Sequence, residues 1–575
     1  MKLRNLMWGA CACILAAGCS NDDVAVENGQ SNIVQEGGNA YVNVRIAMAG
    51  GPSSRATEGE YEYGEDAEQA IKSIFFVFYD DNGKWMANGE QVGETATTDG
   101  TEENVEAIAN AVVALTLPED SPYPTRVVAY VNIPNAKTIF GGKDLGDTNT
   151  NDNTGTGEVT IGEGARATVL AGNGETVSST DNGFMMTNST YLNGSVEQIA
   201  TPVERDNFFD TAEDAKAANP VDIYVERLAA KVSITNSADV QDITNVGDYT
   251  LQFKPEGFAL SGTNTKEYYL KNIQTVWSSW TWNWNKADDY RCFWAEDPNY
   301  DENEAANDLN HVSYDAAASM ESPQYCMENT MVGTVGGGYN TTTYLLLVGT
   351  YSVKNADGED IVLNENGNDG NLYMYNGTAY LSTELVKRLL DEIQQKDPTF
   401  LAYVANTDPT TSEQSPYVQA DADAYELVST AENEVTTVKL QLKNEADTYY
   451  TTTNPSDADS YTLISDENYE TFNNKLAEAV AGTIDGYKEG KAYFAMPIEH
   501  FGGEDKEGGD TTGTYGIVRN HSYQLTITLV SGLGEGVFQP EKPIIPSDEQ
   551  KTYYMAAKLN VLSWKTVGNQ NVEFK

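Results

Sequence analysis

Tyr41-Val42-Asn43-Val44-Arg45-Ile46-Ala47-Met48 is the stretch that decides how this chain is read. Val42, Val44, Ile46 and Met48 alternate with Tyr41, Asn43, Arg45 and Ala47. A period of two turns one set of side chains to a core and the other to the opposite face, so the stretch is a β-strand with one buried face. It stops at Gly50-Gly51-Pro52, and Ser53-Ser54-Arg55-Ala56-Thr57 follows with the composition of an exposed acidic loop. Exposed loop tips are where proteolysis concentrates, and this one carries Arg55, followed by Ala56. Arg45 is the other basic residue here, but its place inside the strand shields it.

Upstream, Lys2 and Arg4 precede an apolar run that ends at Leu15-Ala16-Ala17-Gly18-Cys19. A charged start, a short apolar run and small residues before a cleavage point read as an export signal. The run is too short to span a bilayer as a permanent helix. Its Gly-Cys ending resembles a bacterial lipobox, which implies a cut between Gly18 and Cys19 and acylation of Cys19. Ser20-Asn21-Asp22-Asp23 resembles the acidic surface-export tags of Bacteroidales lipoproteins. Residues 1–18 are thus a lipoprotein signal and 19–38 a polar, Gly-rich tether.

Downstream, most of the chain reads as strands. Ile71–Tyr79 is near-continuously apolar, and Asn82-Gly83 before Trp85 signals a hairpin. Val127–Pro134, Tyr344–Val348 and Tyr224–Ile234 are further strands, the last with an imperfect phase that suggests a bulge. Tyr523, Leu525, Ile527 and Leu529 form one face of another, and 553–565 follow as a strand. Two helices stand out. Leu385, Val386, Leu389, Leu390 and Ile393 make an apolar stripe over 384–396, with Thr383 as cap. Phe472, Leu476 and Val480 do so over 466–481, with Gly482 as the stop. The fold class is mostly β, in two β-sandwich domains, 39–245 (first strand 41–48, cleavable loop 50–60) and 246–575.

The chain has 575 residues, with 35 Lys and Arg against 87 Asp and Glu, a net charge of −52. That charge repels nucleic acid and anionic headgroups, leaving the lipid of the precursor as the only membrane contact. Asp147–Asp152 lacks the glycine an EF-hand loop needs at its sixth position and reads as a solvated loop. There is no P-loop, GxSxG, HExxH or GxGxxG motif, and His311, His500 and His521 have no metal-ligand spacing. No catalytic residue, metal or cofactor is expected. Cys11 and Cys13 leave with the signal, so Cys292 and Cys326 remain, either as one disulfide or as two separately buried thiols. Trp277, Trp280, Trp282, Trp284 and Trp294 are clustered. They read first as a core or loop-stapling cluster, and otherwise as a sugar-stacking platform of a monomeric glycan-binding lipoprotein.

Several segments together resemble a known family. They are Gly183–Asn188 (GFMMTN), Glu226–Val232 (ERLAAKV), Phe293–Pro298 (FWAEDP), Tyr325–Thr330 (YCMENT), Tyr515–His521 (YGIVRNH) and Leu562–Lys565 (LSWK). In this order they resemble the fimbrillins of the Bacteroidales, the type V pilins, and within them the major stalk subunit of the minor (short) fimbriae. The resemblance implies transthyretin-like sandwiches and a lipoprotein precursor at the outer membrane. It also implies an Arg-specific protease that cuts after the first strand, and assembly by donor strand exchange into a surface fimbria that supports adhesion. A strand so removed must be amphipathic, bounded by a loop and followed by an accessible basic residue, conditions that 42–48 and Arg55 meet, with Ala56 the first residue after the cut. The implied partners are identical subunits, anchor and tip subunits, and host or bacterial surface receptors. The implied donor is the C-terminal segment, 553–575, whose last residues place Val572 and Phe574 on one face with Gln570 in phase.

Overall fold

In the computed structural model the alternating stretch becomes strand β1 (Ala40–Ala49), with Val42, Val44 and Ile46 fully buried and Met48 nearly so. The structure describes residues 38–49, 64–99, 105–145, 168–170, 178–179, 183–244, 246–280, 284–298, 300, 309–330, 341–407, 415–432, 435–445, 448–500, 515–546, 553–562 and 566–571. β1 lies in a sheet with β2 (Ile74–Tyr79), β3 (Trp85–Asp99), β4 (Val105–Leu115), β5 (Arg126–Val131), β6 (Met186–Asn188) and β7 (Val221–Arg227). The order is β5-β2-β3-β4-β1-β7-β6, and β6 also pairs with β5 through Tyr130↔Thr187 and Val131↔Met186. The path therefore closes on itself. The expected first sandwich is one sheet wrapped round its core. Phe76, Phe78, Val113, Val127, Ile223 and Val225 meet the four apolar residues of β1 inside it.

The Asp80–Lys84 hairpin forms as its sequence predicts, with Gly83 at φ 73°. Its first strand begins at Ile74 rather than Ile71, because the Asn132 side chain accepts the backbone N–H groups of Lys72 (2.7 Å) and Ser73 (3.1 Å). Tyr224–Ile234 is two strands, not one with a bulge. The chain leaves the first sheet at Arg227 and enters a second at Ala230, where β8 (Ala230–Val240) begins. Between them the Leu228 N–H donates to the Met185 carbonyl at 2.9 Å.

The second sheet runs β9-β8-β10-β11-β12, with β9 (Gln324–Cys326), β10 (Ser522–Gly532), β11 (Tyr553–Leu562) and β12 (Thr566–Asn571). It faces a sheet built mainly from Thr250–Ser261, Tyr344–Lys354 and Lys491–Pro497. Val232, Ile234, Tyr523, Leu525 and Ile527 from one side meet Phe253, Phe258, Leu345, Leu347 and Phe494 from the other. A bulge between Ile527 and Leu529 shifts the phase of β10, so Val530 is buried where alternation alone predicts Leu529. Along this crossing the chain passes from the first core, which holds Ala229, to the second, which holds Ala230, while Tyr269, Leu270 and Met327 return to the first.

A third core lies in the excursion between Tyr344–Lys354 and Lys491–Pro497, two strands that pair directly. Both predicted helices are here, as Ser382–Lys396 and Asp466–Ala479, and Leu385, Leu389, Ile393, Phe472 and Leu476 are buried as their spacing requires. The first helix starts before Thr383. The Glu384 carboxylate accepts the Leu381 N–H at 3.2 Å, and the Thr383 hydroxyl instead donates to Asn368 at 2.8 Å.

Candidate functional site: the seat of the first strand

β1 has a strand on each side. It runs antiparallel to β4, with Val42 opposite Val113 and Ile46 opposite Ala109, and parallel to β7, with Val44 opposite Val221 and Met48 opposite Val225. Val42, Val44, Ile46 and Met48 point into the closed core. On the other face Arg45 pairs with Asp222 of β7; its guanidinium Nη2 donates to Oδ2 at 2.8 Å and its Nε donates to Oδ1. Asn43 Nδ2 donates to the Ala218 carbonyl at 2.9 Å. The entry is clamped by Asn39, whose amide donates to Leu117 O at 2.7 Å while its Oδ1 accepts the Leu117 N–H at 2.8 Å. The four apolar side chains together hold the strand with about 6–12 kcal/mol of burial, before any backbone pairing is counted. Lifting β1 out would open the closed sheet and leave β4 and β7 as facing unpaired edges.

Downstream of β1 the chain is anchored separately. In the short helix Asp66–Gln69, Glu68 is buried and pairs with Lys231 Nζ at 3.0 Å. The Tyr325 hydroxyl donates to it at 2.5 Å, and Arg227 Nε donates to its backbone carbonyl at 2.8 Å. This anchor belongs to a larger buried network. Arg519 donates through Nη1 to Tyr269 O (3.1 Å), through Nη2 to Tyr268 O (2.6 Å) and through Nε to Glu328 (3.3 Å), and its Nη2 lies 3.0 Å from Glu267. Lys271 pairs with Glu226 at 2.9 Å. Thr330 takes Asp297 and the Ala295 carbonyl, and Asn329 bridges to Ile517 through the backbone. Burial pushes the Glu226 and Glu267 carboxyls upward, against the pull of Lys271 and Arg519. The Thr187 hydroxyl also donates to Tyr269 O at 2.6 Å, so five of the six segments singled out in the sequence meet at the junction of the first two cores. Their charges had no sequence signal beyond standing beside apolar runs, as Arg519 stands after Ile517-Val518.

The other expected sites divide. Cys19, Arg55, Ala56, Val572 and Phe574, and the Asp147–Asp152 loop, lie outside the described residues. The C-terminal strands are present in backbone: β11 pairs antiparallel with β10, and β12 folds back on β11 as the edge of the sheet. Among the described residues no group of His, Cys, Asp and Glu is placed to hold a metal ion. Trp277, Trp284 and Trp294 are buried with Leu192, Ile273 and Val518, and Trp284 Nε1 donates to Trp277 O at 2.7 Å. The cluster staples a loop to the junction, and these three rings offer no platform to a sugar.

The disulfide considered for Cys292 and Cys326 is not formed: both are free, buried thiols, in different clusters. Burial, partly offset by Lys271, pushes the Cys292 thiol up to about 12. Both thiols are shut off from solvent, so neither should react with Ellman's reagent in the native processed protein. Both should titrate in guanidinium. A native thiol that titrates within minutes would contradict this placement.

Residues 485–570 match the family described as "Major fimbrial subunit protein type IV, Fimbrillin, C-terminal". The matched stretch contains Tyr515–His521 and Leu562–Lys565, two of the segments that carry the resemblance, so the resemblance to the fimbrillins is borne out there. No curated protein matches the chain. Among solved structures, the chain is similar to a fimbrilin from Porphyromonas gingivalis W83 at 11% identity, covering 93% of this chain and 99% of that one, with a TM-score of 0.34. It is also similar to the tip fimbrial protein Mfa3 from Porphyromonas gingivalis with C-terminal truncation, at 11% identity, 91% and 99% coverage and a TM-score of 0.28. A fimbrial assembly protein from Parabacteroides distasonis gives 12% identity, 56% and 97% coverage and 0.24.

Proposed function

We propose that this chain is a structural subunit of a cell-surface fimbria, polymerised by exchange of one strand for another. It is exported as a lipoprotein precursor acylated at Cys19 and held at the outer membrane. An Arg-specific protease cuts after Arg55, which separates β1 and the lipid from the rest of the chain. A C-terminal strand of the next subunit then takes the vacated seat. Identical subunits follow one another along the fibre, with anchor and tip subunits at its ends, and the fibre presents the bacterium to host or bacterial surfaces. The subunit itself is not an enzyme.

One observation carries this reading: β1 is a central strand of a closed sheet, yet the chain on its downstream side is independently fixed at Glu68. A cut between the two would release the strand without loosening the remainder. The empty seat would be a long apolar groove bounded by two unpaired edges, a state that β-augmentation relieves. A strand that each subunit gives to the next makes a heterologous contact, which need not close and so extends as a fibre.

The test is direct. Treating the exported precursor with an Arg-specific protease should create an N-terminus at Ala56, followed by ladders that resist SDS without boiling. A product that begins at Ala56 and stays monomeric would sink the exchange. A protein that keeps its lipid and shifts its tryptophan fluorescence with oligosaccharide would be the glycan-binding lipoprotein instead.

A further inference from the structure

We propose that the strand entering the vacated seat is 555–561, registered by an ion pair between its Lys558 and Asp222 of the receiving subunit. This rests on the strand exchange proposed above and adds its register. The seat has a chemical requirement on each face. Its core face takes four apolar residues at alternate positions, and its other face presents Asp222, which β1 meets with Arg45 at the centre of the run. A replacement that left this carboxylate without a cation, or brought an anion to it, would bind poorly.

Met555, Ala557, Leu559 and Val561 alternate with Ala556, Lys558 and Asn560. The seven-residue unit has apolar residues at the four positions that Val42, Val44, Ile46 and Met48 hold in β1, and a single cation at the centre where Arg45 stands. Because the cation is central, the match holds for either chain direction. Read from Val561 back to Met555 the run is V-N-L-K-A-A-M, against V-N-V-R-I-A-M for 42–48, which repeats Asn43 and Ala47 as well. The last residues of the chain fail the same test. Setting Val572 and Phe574 at the apolar positions beside Asp222 brings Glu573 to the carboxylate, a like charge.

The exchange also has a favourable direction. In its own subunit 555–561 lies in β11, between β10 and the edge strand β12, which continues from it and would leave with it. There it gains one sheet neighbour from the rest of the molecule, with Leu559 opposite Leu525 and Val561 opposite Tyr523. In the seat of β1 it gains two, β4 and β7, and closes a sheet.

The experiment mixes two protease-processed variants, Lys558→Cys and Asp222→Cys, under oxidising conditions. The native thiols are buried, so a dimer that forms on a non-reducing gel and collapses with reductant reports contact between positions 558 and 222. That dimer is expected, and none is expected when Glu573→Cys replaces Lys558→Cys. As an independent arm, Lys558→Glu should lower polymer yield at least about tenfold, and Asp222→Lys in the receiving subunit should recover it. Polymers that link through Glu573→Cys, or that are indifferent to both charge changes, overturn the register while strand exchange stands. Unaltered processed protein that never polymerises overturns the exchange itself, and the register with it.

Discussion

Arg55→Ala leaves the protein exported, lipid-bearing and unpolymerised. The expectation follows from where the strand sits. β1 is held by four buried apolar side chains, by pairing on both sides and by the Arg45–Asp222 contact. A donor from another subunit must displace all of this, and while the chain between β1 and Glu68 is intact the displaced strand stays attached and rebinds at once. Intramolecular competition of this kind exceeds any realistic subunit concentration, since a short tether holds its end at millimolar effective concentration. Cutting the tether removes that advantage, and the strand becomes an ordinary ligand that can be lost. The variant should therefore run as a single SDS-sensitive band that retains residues 19–55 by mass spectrometry, with fibre yield lowered by orders of magnitude. Arg45→Ala is the informative contrast. It keeps the cut at Arg55 and removes the pair with Asp222, so processing should proceed and release of β1 should quicken. Fibres of normal length from Arg55→Ala would take Arg55 out of the mechanism.

How much of this is legible in the sequence depends on which force wrote the signal. The burial of Val42, Val44, Ile46 and Met48 was legible because one face of β1 touches the core and the other does not. The two helix stripes were legible for the same reason, with the period changed from two to 3.6. Leu228-Ala229-Ala230 was not, because all three are buried and a run buried all round carries no period. A crossing between sheets and a continuous strand then look alike. The phase slip at Ile527–Leu529 was hidden because a bulge is a feature of pairing, and the partner of β10 begins at Tyr553. The third core was hidden too, since the strands that bracket it, Tyr344–Lys354 and Lys491–Pro497, are neighbours in space and far apart in sequence.

The junction is the instructive case. Nothing in the local sequence marks Glu226, Lys271, Glu328 or Arg519 as interior, since a lone ionised group is seldom buried. The family resemblance pointed at three of them without a physical reason. The structure supplies one: each is matched by an opposite charge contributed from another segment, so the signal belongs to the set. The same logic explains why the seat of β1 was half legible. Its apolar requirement is written in 42–48, whereas its charge requirement is written at Asp222, in a strand that pairs with it in parallel.

Removing the cation at the centre of that junction gives the second large effect. Arg519→Met should destabilise the protein by about 3–5 kcal/mol at pH 8, because it strands buried carboxylates while keeping the side-chain volume. Glu267 and Glu328 lose the guanidinium outright, and Glu226 keeps only Lys271 close by. The pH dependence fixes the cause. Burial already holds the Glu267 and Glu226 carboxyls above their ordinary range, and Arg519 is among the charges that pull them down. Without it both rise further. A carboxyl whose folded pKa exceeds its unfolded value contributes its stability at low pH and loses it as pH rises through the folded value. The deficit of the variant relative to the natural protein should thus shrink between pH 8 and pH 5, as the stranded carboxyls take up protons. Urea unfolding of the precursor at the two pH values measures it. A deficit that is equal at both would assign the loss to packing, and one below about 1 kcal/mol would mean that water reaches the cluster. Because the network also holds Glu68 through Arg227 and Lys231, the variant should loosen the segment just downstream of Arg55. Limited digestion with a protease of broad specificity should then cut between residues 64 and 72, a segment expected to stay protected in the natural protein, and the seat of β1 would be lost along with the strand.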